Sequence, residues 1–153
     1  MKNEKNELMI VQETKLDRGS LSSNVKEVTS LNLEDEAQAD MLLSGRSEVD
    51  HKLNDEVGSI INCIGYYISE REVTDISEQT GEEFTQLKHV LMLFDDKGES
   101  HVTGSNSCYM SFSDIISIKG RPSIEKPLKL KVIKVDAKER GHQYLKLAIV
   151  KNK

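Results

Sequence analysis

The sequence predicts a mainly β protein: a five-stranded Greek-key barrel with one helix between strands three and four, plus an N-terminal arm containing a short helix. Three observations predict it. Apolar and polar residues alternate from Gly58 onward, the period changes to that of a helix between Ser107 and Gly120, and alternation returns in two closing segments. The chain of 153 residues has room for one such domain and an appendage, because a single core occupies about 100–150 residues. Residues 1–46 are expected to form a flexible acidic arm and 47–153 the barrel domain.

Up to about Ser30 the arm is polar, with Ser20, Ser22, Ser23 and Asn24 and no sustained period, which suits a segment that is disordered on its own. From Leu31 to Leu43 the signals change. Asn32 can cap a helix, Glu34, Asp35 and Glu36 suit the positive end of its dipole, and Gly45 suits its stop, so a helix is expected near 33–43. Its apolar stripe of Leu33, Ala37, Met41 and Leu42 docks either on the protein's own barrel or on a neighbour's.

In an extended chain Ile60, Ile64, Tyr66 and Ile68 point one way, and Cys63, Gly65, Tyr67, Ser69 and Arg71 point the other. A polar hairpin at Glu78 to Glu83, with Gly81 at its tip, leads into a second strand, Phe84 to Phe94. The turn signal Asp95-Asp96-Lys97-Gly98 introduces a short third strand, Glu99 to Thr103. Ser107 can cap a helix whose Cys108, Phe112, Ile115 and Ile116 share a face, Gly120 supplies the left-handed stop and Pro122 forbids continuation. Leu128, Leu130 and Val132 then alternate with Lys129, Lys131 and Ile133, a charged loop follows at Asp136 to Gly141, and Tyr144 to Val150 alternates again. Three strands, one helix and two strands is the order of the OB-fold, whose face and loops hold oligonucleotides or oligosaccharides.

The net charge of −5 argues at first against a nucleic-acid partner, but its distribution reverses the inference. From Arg121 to Lys153 ten basic residues stand against Glu125, Asp136 and Glu139 alone. No segment approaches the roughly 18 apolar residues of a membrane span, and Met1-Lys2-Asn3-Glu4 leads into no apolar signal core, so a cytoplasmic protein is expected. Cys63 and Cys108 lack metal-ligand spacing and are expected to be reduced and buried. No phosphate-cradling glycine loop and no nucleophile with a recognisable base is present, and Glu82 with Glu83 reads as a solvated hairpin tip. The sequence therefore predicts no enzyme, no cofactor and no metal site.

Sequence-tolerant binding of a single strand needs cations for its backbone and flat π-faces for its bases. Tyr67 is the first candidate platform, since Gly65 on the same face lets a base approach; cross-strand packing is the alternative use of that ring. Arg71 lies further along, and Lys88 and His101 on neighbouring strands can reach the same surface in the right register. Lys138, Arg140 and His142 would overhang one rim. Lys129, Lys131, Lys134 and Lys146 are either an ordinary solvated face or a field for phosphates, with Tyr144 as a second platform beside them. Tyr109 reads as a core or rim residue.

Particular segments carry a resemblance. They are Leu53-Asn54-Asp55-Glu56-Val57-Gly58, Thr80-Gly81-Glu82-Glu83, Val90 through Gly98, Ser113 through Pro122, and Pro127-Leu128-Lys129-Leu130-Lys131-Val132. Over about two thirds of its length the chain resembles the OB-fold single-stranded DNA-binding proteins of phages and conjugative plasmids of Gram-positive bacteria. The resemblance implies a protein that coats single-stranded DNA during replication or transfer of a mobile element, with RNA as the open alternative; separately, the apolar stripe of the arm offers a route to self-association into an oligomer. It departs from the pattern of chromosomal relatives in lacking Trp and in ending Val150-Lys151-Asn152-Lys153, so recruitment through an acidic tail is not carried over. The alternative function is an assembly module whose acidic arm binds a partner.

Overall fold

One strand of 17 residues, Ile60–Ile76, organises the molecule by pairing with three others. The computed structural model describes residues 13–16, 25–136 and 143–151. In chain order they form β1 (Thr14–Lys15), β2 (Val25–Thr29), α1 (Glu36–Ser47), β3 (His51–Lys52), a 3-10 turn (Leu53–Asp55) and β4 (Ile60–Ile76). Then come β5 (Glu83–Asp95), β6 (Ser100–Thr103), α2 (Asn106–Lys119), β7 (Leu128–Asp136) and β8 (Gln143–Ile149).

The start of β4 pairs with β7, from Ile60 opposite Lys131 to Cys63 opposite Leu128. Beyond that its partner is β5, and β2 adds itself to the other edge, Thr29 opposite Tyr67 and Val25 opposite Arg71. Between Cys63 and Gly65 the register with β5 shifts. A bulge inserts one residue and so exchanges the two faces of a strand whose side chains alternate with period two. Ile61 and Cys63 before it, and Tyr66 and Ile68 after it, therefore all enter the same core. This corrects the simple alternation expected from the sequence. Cys63 belongs with Tyr66, Ile60 lies outside at 58% exposure, and Ile64 joins Tyr67 in a separate outer cluster.

The closed five-stranded barrel expected from the sequence is not formed: the described strands make one open, mixed sheet of eight. Its order is β1-β2-β4-β5-β6-β3, with β7 on β4 and β8 on β7; β3 runs parallel to β6 and the other pairs are antiparallel. Among the described residues β8 pairs with β7 only. Helix α2 occupies the open seam. Ser107 Oγ donates to the Leu145 carbonyl at 2.6 Å, and the Leu147 N–H donates to Ser111 Oγ at 3.0 Å. Two serines one helical turn apart thus satisfy backbone groups that a partner strand would otherwise pair. The helix N-cap is Ser105, whose side chain accepts from the Cys108 N–H, rather than Ser107. Gly120, at φ +86°, ends the helix as its sequence position suggested.

The arm, where described, is built into the sheet. Val25–Thr29 had no visible strand signal because its buried positions are polar: Glu27 and Thr29 are 3% and 0% exposed. Thr29 Oγ1 donates to the Tyr66 carbonyl at 2.7 Å, and Ser30 Oγ accepts from the Tyr66 N–H at 2.9 Å, so these groups are satisfied without water. Helix α1 begins later than expected, at an Asp35 cap, while Asn32 makes a turn that accepts from the Glu34 N–H. It also runs through Gly45 instead of stopping there. A Cβ on Gly45 would lie 2.8 Å from Met92 Sδ, so this glycine lets helix and sheet approach. Among the described residues no helix is long and apolar enough to cross a membrane.

Burial raises the thiol of Cys63 to about 12 and that of Cys108 to about 11, so both stay protonated and unreactive in the native state. An aromatic disulfide reagent at pH 8 is expected to titrate neither thiol until denaturant is added. At Gly65 the neighbours leave no room for a side chain: a Cβ there would sit 2.4 Å from Leu31 Cδ2. Gly65→Ala should therefore cost about 1–3 kcal/mol of stability in urea unfolding, the usual range for overpacking. In a double-mutant cycle Leu31→Ala should recover part of that loss. Equal stability of Gly65→Ala and wild type would contradict the contact.

Candidate nucleic-acid interface

The alternation of β7 and β8 sorts their side chains cleanly. Leu128, Leu130, Val132, Leu145 and Leu147 enter the core, and the residues between them face away. Register then brings the outward set together: Lys131 lies opposite Ala148, Ile133 opposite Lys146, and Val135 opposite Tyr144. On the other side of β7, Asn62 lies opposite Lys129 and Ile60 opposite Lys131. Lys129, Lys131 and Lys146 are exposed, Tyr144 is 39% exposed, and no helix among the described residues covers them. Lys134 pairs with Leu145 on the opposite face and does not join this group.

The strands contribute no carboxylate to this face. Asp96 reaches its margin, where it accepts from Asn62 Nδ2 at 3.1 Å. At the same margin a cavity of about 160 Å³ is lined by Lys119, from the end of α2, together with Lys129, Asn62 and Ile149. Lysines spaced along exposed strands and flanked by a half-exposed phenol can hold phosphates and stack a base. Lys138 and Arg140, expected to overhang this region, lie outside the described residues with His142.

A second cationic pair forms on the far half of β4. Arg71 is directly opposite Lys88, so the expectation that they share a surface is met. Both are exposed, and neither has a carboxylate partner among the described residues. Phe84, at 44% exposure, lies further along the same face, opposite Asp75. Sequence reading passed over Phe84, although an aromatic at the start of a strand, next to a polar hairpin, is the signal that could have found it.

Tyr67 also points outward from the sheet, but α1 covers it. Its ring is 6% exposed, packed with Leu31, Leu42, Met92 and Phe94, and its hydroxyl bonds to Glu27. Arg46 of α1 lies over the ring, 5.6 Å from its centroid, and reaches Glu27 at 3.4 Å. The space above Gly65 that was expected to admit a base holds Leu31.

His101 was expected on the strand surface and is buried instead. Nδ1 is 2.6 Å from Glu56 Oε1 and Nε2 is 2.8 Å from Asp95 Oδ2. The ring thus links two carboxylates, one through each nitrogen. His51 stacks on it with centroids 4.7 Å apart and makes its own 2.7 Å contact with Glu99. Burial raises the Asp95 carboxyl, but His101 and the N–H groups of Glu99 and Lys97 outweigh it, and the net shift is downward. The hydrogen bond to Glu99 raises His51 against a smaller effect of burial. His89 stacks on Tyr109 at 4.0 Å and contacts Glu70 at 3.1 Å, which makes Tyr109 a partner of the β5 surface. Among the described residues no group of three or more His, Cys, Asp or Glu is arranged to hold a metal ion.

No family model, curated protein or solved structure matches the chain.

The buried histidine gives two expectations. His101→Ala takes a hydrogen-bond partner from both Glu56 and Asp95, and should cost about 1–3 kcal/mol for each carboxylate left unsatisfied. The pH dependence has two limbs. Asp95, lowered in the fold, contributes above its ordinary value of 3.8 and loses that contribution as pH falls through its folded value. His51, raised in the fold, contributes fully below its ordinary value of 6.5 and loses this as pH rises through its folded value. Urea midpoints should thus decline on both sides of the interval between 3.8 and 6.5, and His51→Gln should flatten the upper limb.

Proposed function

We propose that this protein binds single-stranded DNA without reading sequence, and that it does so through the lysine and tyrosine face of β7 and β8. One observation carries the reading. On a chain of net charge −5, Lys129, Lys131 and Lys146 gather beside Tyr144 on one uncovered sheet face to which the strands add no acid. A wet face needs only polar residues; it does not need one sign of charge.

The strand neighbours support an OB-type architecture for the same region. Strands β6, β5, β4, β7 and β8 follow one another across the sheet with α2 between β6 and β7 in sequence, which is the five-stranded Greek-key order opened at one seam. In this reading the protein coats and protects single strands in replication or transfer of a mobile element, in the manner of the phage and plasmid proteins it resembles. Catalysis has no part in it. The ribbon pair Arg71 and Lys88 is available as a subsidiary contact, whereas Tyr67 and His101 serve the fold.

Binding should weaken with salt with a log–log slope of about −0.7 per neutralised phosphate on single strands. The triple variant Lys129→Ala, Lys131→Ala, Lys146→Ala should make that slope shallower by about 2 and lower affinity at every salt concentration. Tyr144→Ala should cost about 1–3 kcal/mol and Tyr144→Phe much less, since stacking uses the ring and not the hydroxyl. Fluorescence anisotropy with labelled homopolymers checks both. Unchanged affinity of the triple variant would remove this face as the site.

A further inference from the structure

The ribbon formed by the far ends of β4 and β5 has two chemically different faces. Arg71 and Lys88 lie on one. The other carries Glu72 opposite Leu87 and Ile76 opposite Glu83, with Thr74 and Thr85 between them. Ile76 is 66% exposed and Leu87 55%, and neither Glu72 nor Glu83 has an ion-pair partner among the described residues. The five residues from Glu72 to Ile76 extend about 15 Å at the usual rise of a strand. A two-stranded ribbon wet on both sides is marginal by itself, so these aliphatic side chains gain from being covered.

The face of β7 and β8 is the reciprocal surface. There Ile60 at 58% exposure, Ile133 and Val135 are interleaved with Lys129, Lys131 and Lys146. Both patches set aliphatics, exposed at Ile60, Ile76 and Leu87 and half-buried at Ile133 and Val135, among charges of a single sign, and the signs are opposite. They cannot easily meet within one chain, because ten residues of β4, from Asn62 to Glu72, separate them by about 33 Å of strand.

We propose that the acidic, aliphatic face of the ribbon docks on the lysine face of a second copy of this chain. The contact joins two different surfaces, so it propagates head to tail and does not close into a two-fold pair. The patches are small, which makes the association weak, concentration-dependent and sensitive to salt. Its regulatory consequence rests on the function proposed above: the same lysines serve the neighbour's ribbon and an oligonucleotide, so strand binding and self-association exclude one another.

Sedimentation velocity on the full chain tests this. At low salt the mean mass should rise above 17.3 kDa with protein concentration and return to it in 0.5 M salt. The variant Glu72→Lys, Glu83→Lys should remain at 17.3 kDa, and adding Lys129→Glu and Lys131→Glu to it should restore association by exchanging the charges. A single-stranded homopolymer too short to hold two copies should dissolve the chains. A wild type that stays at 17.3 kDa at every concentration overturns the proposal. So does association that survives in the Glu72→Lys, Glu83→Lys variant, or that persists with oligonucleotide bound. A wild type that associates, is rescued by the charge exchange and binds no oligonucleotide would instead sustain this contact and remove the DNA-binding function.

Discussion

The bulge between Cys63 and Gly65 is the constraint on which the arrangement of surfaces depends. One inserted residue lets a single strand bury Ile61 and Cys63 on one side of it and Tyr66 and Ile68 on the other, all in the same core. It also exchanges what faces outward. Ile60 and Asn62 join the lysines of β7, whereas Gly65 and Tyr67 lie under the arm and Arg71 lies opposite Val25, the first residue of β2. Without the bulge Cys63 would face solvent, and the lysine face would lose its continuity across β4.

The arm uses polar burial to seal the middle of that outer surface. Leu31 enters the space a side chain at Gly65 would need, Thr29 and Ser30 bind the backbone of Tyr66, and Glu27 accepts from the Tyr67 hydroxyl beneath Arg46. Each group is costly to bury alone and acceptable in company, because its hydrogen bonds are made by the neighbour it covers. The cluster of His51, Glu56, Asp95, Glu99 and His101 does similar work at the opposite edge, where it joins the segment after α1 to the turn between β5 and β6. Among the described residues neither device covers the lysine face or the two-faced ribbon.

Much of this was legible in the residues. Helix α2 announced itself through a serine cap region, the Cys108 and Phe112 face, and Gly120, all local signals. The β4–β5 hairpin did so through Gly81 and long alternating flanks, and the lysine face through strict alternation in β7 and β8. What escaped was non-local. Nothing near Ile64 marks a bulge, because the extra residue is defined by the partner strand. His101 looked like an exposed strand residue, since its partner Glu56 lies 45 positions away. Val25–Thr29 hid as a strand because Glu27 and Thr29 are its buried residues, and their partners are Tyr67 and the backbone of Tyr66. In sequence Gly45 suits a helix stop and Gly65 a ligand's approach, whereas both make room for the chain itself.

Lysine acetylation footprinting, read by mass spectrometry with and without a single-stranded homopolymer, most directly tests the claim that β7 and β8 present the binding face. Protection concentrated at Lys129, Lys131 and Lys146, with Lys52 and Lys97 still reactive, is the predicted result. Uniform reactivity in the presence of saturating oligonucleotide, or protection confined to lysines away from β7 and β8, would contradict it.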